Sequence, residues 1–156
     1  MLRVNTMLLP SSLEGFGLFT CGHIKKGTVT WERDSEDFSF TMEGYLQRFS
    51  AEVREYKKEQ TEAHSYFDET VGLWIYCVDE QKYINHSEDP NIISTPHQDI
   101  AARDIDSGEE MTCDYEAYES NWFLRRNLKR EDFVPYVKDD VRRIYVMPPL
   151  IRPQKD

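Results

Sequence analysis

"YINHSEDPN", residues 83–91, sets Asn85, His86, Ser87, Asp89 and Asn91 behind "VGLWIYCV", residues 71–78. That preceding stretch is a continuous apolar run, and it reads as the most buried strand of the chain. Polar side chains with fixed donors and acceptors at the exit of a buried strand can read the polar edge of a heteroaromatic ring. The bland alternative is an Asx-type turn with His86 a satisfied structural histidine. Pro90 fixes the exit of the loop, and Asn91 can cap it locally.

Upstream, "LEGFGLFTCGHIKKGTVTWE", residues 13–32, spaces glycines at 15, 17, 22 and 27 between β-branched and aromatic residues, the pattern of short strands and tight turns. Gly15-Phe16-Gly17 lacks the third glycine and following helix of a dinucleotide fingerprint, because position 20 is Thr. Two glycines around an aromatic still let backbone approach a ligand closely. From Met42 the apolar period becomes helical, through Tyr45, Leu46, Phe49, Val53 and Tyr56, and predicts one amphipathic helix over about 42–60 with an aromatic packing face. Downstream, "NIISTP", "QDIAARDI" and "EEMTCDY" are three strand candidates, and Ala117 to Arg130 reads as helical. Asp114-Tyr115 ends the last strand, where a tyrosine hydroxyl can serve as hydrogen-bond partner, electrostatic stabiliser or, with a shifted pKa, base.

The 156 residues fit one α+β, mainly β domain spanning 1–156. With 39% hydrophobic residues it holds enough apolar material for one core. Its net charge of -10, from 29 acids against 19 bases, disfavours nucleic acid and anionic membrane and suits basic ligands or peptides. Three cysteines at wide spacing, without a CxxC pair, point to a reducing, intracellular setting and give no zinc knuckle. His23, His64, His86 and His97 lack metal-ligand spacing, so no metal is expected. "MLRVNTMLLPSS" is too short in its apolar part for a signal sequence, and no stretch approaches a membrane span. A soluble protein of the cytoplasm or nucleus is expected.

Together, "GFGLF", "IKKGTVTWE", "YINHSEDPN" and "AARDIDSGEEMTCDY" resemble the SET-domain protein lysine methyltransferases over residues 12–118. The resemblance implies a fold of short sheets in which the polar block meets the final strand in a knot-like crossing, with the helix near 42–60 inserted and residues 117–156 closing the site. It implies that Gly15, Phe16 and Gly17 approach S-adenosylmethionine, that Asn85 and His86 hold its adenine end, and that Tyr115 is the catalytic tyrosine. The substrate would be a lysine of a basic, histone-like protein or peptide. Tyr76, and more weakly Tyr83, are candidates for the lysine-channel wall. No cysteine follows Cys113, so the zinc module that closes the channel in many members is missing. Trp122 or Phe123 is the expected replacement. Cys113, two residues before Tyr115, is small where members often carry Phe or Tyr, which implies room for di- or trimethylation. A non-catalytic binding module on the same fold is the competing expectation.

Overall fold

The computed structural model describes residues 1–130, so residues 131–156 of the expected closing segment lie outside the described residues. Its strands are short: β1 Thr6–Pro10, β2 Phe16–Thr20, β3 Val29–Glu32, β4 Phe38–Phe40, β5 Ser65–Asp68, β6 Leu73–Tyr76, β7 Asn85–His86, β8 Ile92–Ser94, β9 Gln98–Ala101 and β10 Glu110–Cys113. Its helices are α1 Met42–Leu46, α2 Ala51–Ala63 and α3 Trp122–Arg125, and 3-10 turns occupy Glu80–Tyr83 and Tyr115–Ala117. The mainly β, α+β reading therefore holds.

One sheet runs in the order β1-β2-β10-β8-β9-β3, with β7 also paired to β10. A smaller sheet orders β4-β6-β5. The strand β10 is shared along its length. Glu110 and Met111 pair antiparallel with Phe19 and Leu18 of β2, whereas Thr112 and Cys113 pair parallel with Asn85 and His86 of β7, and Cys113 also with Ile92 of β8. The polar block thus meets the last strand directly. Leu18, Ile92, Ile105 and Met111 are essentially removed from water around that meeting. Each such side chain contributes about 1.5–3 kcal/mol relative to exposure. A second apolar cluster, Trp31, Tyr66, Ile75 and Cys77, lies against the small sheet, and Leu2 and Tyr118 pack against both clusters.

Three sequence expectations change. The stretch 71–78 is not the most buried strand: Val71 is exposed, and only Trp74 and Ile75 of β6 are buried. Trp74 and Ile75 point to opposite faces of β6 and are both covered, so a short two-sided stretch produces the apolar run while its flanks Leu73 and Tyr76 stay half-buried. The single insert helix is two. Thr41 caps α1 by accepting the Gly44 N–H at 3.2 Å, and Ser50, in extended conformation, starts α2, which runs on to Ala63. The phase is reset at 47–50, so Val53 and Tyr56 are exposed and only Thr61 of α2 is buried. Finally, α3 is one turn, and the helix expected over 117–130 is otherwise turns.

Candidate functional site

Gly15 adopts φ +47, the left-handed region open to glycine, and turns the chain into β2. A Cβ at Gly17 would stand 2.1 Å from Glu110 Oε1 and 3.1 Å from Ser11 Cβ, so a larger residue there would displace the Glu110 carboxylate. The Glu110 carboxylate accepts from Ser11 Oγ at 2.8 and 2.9 Å and from Asn85 Nδ2 at 2.8 Å. That same Asn85 amide donates to the carbonyls of Glu14 and Phe16, each at 3.1 Å. Asn85 therefore fastens the glycine loop to the last strand. A parallel task falls to Asn91, which is 2% exposed: its Oδ1 accepts the Thr112 N–H at 2.9 Å and its Nδ2 donates to the Glu110 carbonyl at 2.7 Å. The polar block stitches the sheet rather than capping its own loop.

His86 Nδ1 accepts the backbone N–H of Tyr115 at 3.2 Å, which puts the neutral ring's proton on Nε2, 3.2 Å from Glu88 Oε1. Its ring lies 5.2 Å from those of Tyr115 and Phe123. The glycine loop, the Asn85-His86 pair and Tyr115 thus converge through direct contacts. The Tyr115 hydroxyl donates to the Ile84 carbonyl at 2.9 Å. Enclosure by apolar neighbours pushes its pKa well above the usual phenol value, with Cys113 and Glu14 adding to the rise. A neutral hydroxyl is a donor, so of the three roles open to it the base is disfavoured.

Tyr115 opens on a cavity of about 60 Å³. Tyr66, Tyr118 and Trp122 supply its aromatic wall, with Trp122 4.4 Å from the Tyr115 ring and Tyr66 5.5 Å from Tyr118. Tyr66 is held by donating its hydroxyl to the Pro96 carbonyl at 2.6 Å. Tyr76 does not line this cavity. It lies in a separate open groove of about 650 Å³ with Phe38, Phe40, Tyr45 and Arg48. Tyr83 packs edge-on against His64 at 5.4 Å, and the Lys82 ammonium sits 5.1 Å over Tyr76 and 5.5 Å over Tyr83. Cys113 does line the cavity and is fully buried, which raises its thiol pKa. Of the two closing candidates, Trp122 reaches the cavity, whereas Phe123 packs behind His86.

What fastens α3 is a buried ion pair that the sequence did not announce. Glu119, with no exposed surface, accepts from Arg126 at 2.8 and 3.1 Å, from Arg125 Nε at 2.9 Å and from the Phe67 N–H at 2.9 Å. The Arg126 guanidinium lies 4.1 Å over Trp122 and donates to the Ser65 carbonyl at 2.8 Å. Buried charges persist only when so fully bonded. The opposite wall of the cavity is polar: Asp99, Gln81 and Ser94, beside Trp31, all buried. No local signal marks Tyr66, Asp99 or Glu119, since each reaches the site through sheet register rather than motif spacing.

A SET domain family model matches residues 15–116, and the chain belongs to that family. Among solved structures it resembles ctPRC2 in an autoinhibited conformation bound to S-adenosylmethionine, at 26% identity and TM-score 0.58, over 78% of this chain and 16% of that one. An active polycomb repressive complex 2 in the basal state matches at 27% identity and TM-score 0.54, over 75% and 16%. A humanized mutant of the Chaetomium thermophilum Polycomb Repressive Complex 2 bound to the inhibitor GSK126, at 24% identity and TM-score 0.54 over 78% and 16%, shares the fold. The chain spans about one sixth of the length of these chains. No curated protein matches it. Among the described residues no helix is long and apolar enough to cross a membrane.

Proposed function

We propose that this chain is an S-adenosylmethionine-dependent protein lysine methyltransferase acting on a basic protein or peptide. The observation that carries the reading is the convergence, through direct hydrogen bonds, of the glycine loop and the Asn85-His86 strand with Tyr115, which itself lines an aromatic-walled cavity. The residues present fit the cofactor, because a Cβ at Gly15 would meet nothing within 4 Å, so the glycine loop borders open space while Asn85 holds its carbonyls at Glu14 and Phe16. Gly15, Phe16, Gly17, Asn85 and His86 would hold it, and when bound it supplies an electrophilic methyl group.

A target lysine would enter between Tyr66, Tyr118 and Trp122, whose rings exclude water and orient its side chain. Tyr115 hydroxyl and the Ile84 carbonyl would polarise the amine as charge moves onto it. The small, buried Cys113 leaves room for amines that already carry methyl groups, so di- or trimethyl products are expected. A net charge of -10 favours a basic substrate, and an intracellular setting follows from the cysteine pattern. The test is labelled-methyl transfer onto a peptide array and a lysate, with Tyr115→Phe as control and titration calorimetry with S-adenosylmethionine beside it. Cofactor binding with transfer that depends on Tyr115 supports the enzyme; no cofactor binding by wild type sinks it and leaves the non-catalytic binding module.

A further inference from the structure

The cavity's polar wall has no part in the roles assigned so far. Among the described residues, Trp31 Nε1, Gln81 Oε1, Ser65 Oγ and Ser94 Oγ are buried without a hydrogen-bond partner, and all four residues line this one cavity. Orphaned polar atoms cost about 1–3 kcal/mol each unless something meets them. The set combines an obligatory donor, Trp31, with an acceptor, Gln81 Oε1. Water meets both, whereas an ammonium could serve only the acceptor. At about 60 Å³ the cavity has room for ordered water.

Gln81 donates through Nε2 to Asp99, which is 3% exposed and paired in register with Trp31 on β3 and Ser94 on β8. Cys113, on β10, lines the same cavity as Asp99 and Tyr115. The other titratable groups on the cavity wall are Cys77, Tyr66, Tyr118, His64 and Lys82. Burial raises both the Cys77 thiol and the Tyr66 hydroxyl well above their ordinary values. Neither they nor Tyr118 can accept a proton while neutral.

We propose that the polar wall is a hydrated proton-accepting site in which Asp99, reached through water held by Trp31 and Gln81, takes the proton a target lysine must lose before methyl transfer. This rests on the methyltransferase reading. A lysine ammonium at about pKa 10.4 leaves only about one amine in a thousand free near pH 7. Transfer of one N–H proton to the Asp99 carboxylate gives a neutral amine and a carboxylic acid. The neutral amine then has a lone pair free to accept the methyl group that the cofactor would supply. Asp99 afterwards releases its proton to solvent. Burial lifts its carboxyl from 3.8 to about 7, which suits acceptance and release near neutrality.

The experiment compares the full chain with Asp99→Asn. Wild-type turnover should hold through neutrality. In Asp99→Asn it should fall at least tenfold at pH 7 and recover toward wild type by pH 9, with S-adenosylmethionine affinity unchanged within twofold. A crystal structure of the wild-type chain should place ordered water within hydrogen-bond reach of Trp31 Nε1 and Gln81 Oε1, and carbon NMR should show Asp99 titrating near neutral pH. Parallel pH profiles for the two proteins, or a dry cavity in an active enzyme, overturn the proposal while leaving the methyltransferase reading intact. A wild-type chain that binds the cofactor and never transfers sinks that reading instead.

Discussion

Two polar regions meet at Tyr115 and are built on opposite terms. Around the glycine loop the side-chain amides and carboxylate are spent on the protein itself: Asn85 on Glu14, Phe16 and Glu110, Asn91 on Thr112 and Glu110, Glu110 on Ser11. Around Asp99 the buried side chains of Trp31, Gln81 and Ser65 keep atoms in reserve. A satisfied network fixes shape, and an unsatisfied one waits for a guest. The first region is thus the frame of the site, and the second is where small molecules should come and go.

The largest expected effect probes the junction. Tyr115→Phe removes one hydroxyl and should lower turnover by about 10²–10³-fold, with the fold unchanged by circular dichroism and cofactor affinity changed by no more than a few fold. Next comes the frame. Gly17→Ala drives a methyl into Glu110 Oε1, and it should cost about 2–4 kcal/mol in urea unfolding together with most cofactor affinity; wild-type stability would show that the frame yields. Asn91→Ala leaves the Thr112 N–H and Glu110 carbonyl unpaired and should cost about 1–3 kcal/mol with little change in cofactor affinity once folded.

Asp99 should behave in the reverse sense. Its carboxyl is raised, so between 3.8 and about 7 the folded chain binds more protons than the unfolded one, and stability falls as pH rises through that window. Asp99→Asn abolishes the penalty, so its melting temperature relative to wild type should climb from pH 5 to pH 8, by an amount corresponding to about 2–3 kcal/mol. The smallest effect belongs to the open groove. Phe38, 65% exposed, should tolerate Ala within about 0.5 kcal/mol, since few neighbours lose contact.

The frame was legible in the sequence because each part carries its own local signature. Gly15 and Gly17 flank an aromatic in a turn pattern, Asn85-His86-Ser87 stands past the exit of an apolar strand, and Asp114-Tyr115 ends a strand. The reserve region was illegible for a matching reason. Asp99 sits in "QDIAARDI" as an ordinary strand residue, and only the pairing Trp31↔Asp99 with Ser94↔Asp99 buries it. Tyr76 was the channel candidate because it lies in the strand before the polar block, and Tyr66 carried no signal of its own. In β5 and β6, however, the partners are Ser65↔Tyr76 and Tyr66↔Ile75, so the two tyrosines do not face each other and line different hollows. The helix break at Ser50 was masked by side chains whose spacing stayed apolar across it.

The shared strand β10 has a kinetic consequence. Its partners come from β2, β7 and β8, so the chain must gather segments from early and middle sequence before this strand has edges to join. Non-local pairing of this kind is slow, because loop closure is costly before any contact rewards it. Docking of β10 is thereby a late event on the folding route, and it is the same event that brings Tyr115 to His86. Recovery of activity after dilution from denaturant should therefore track the slowest refolding phase.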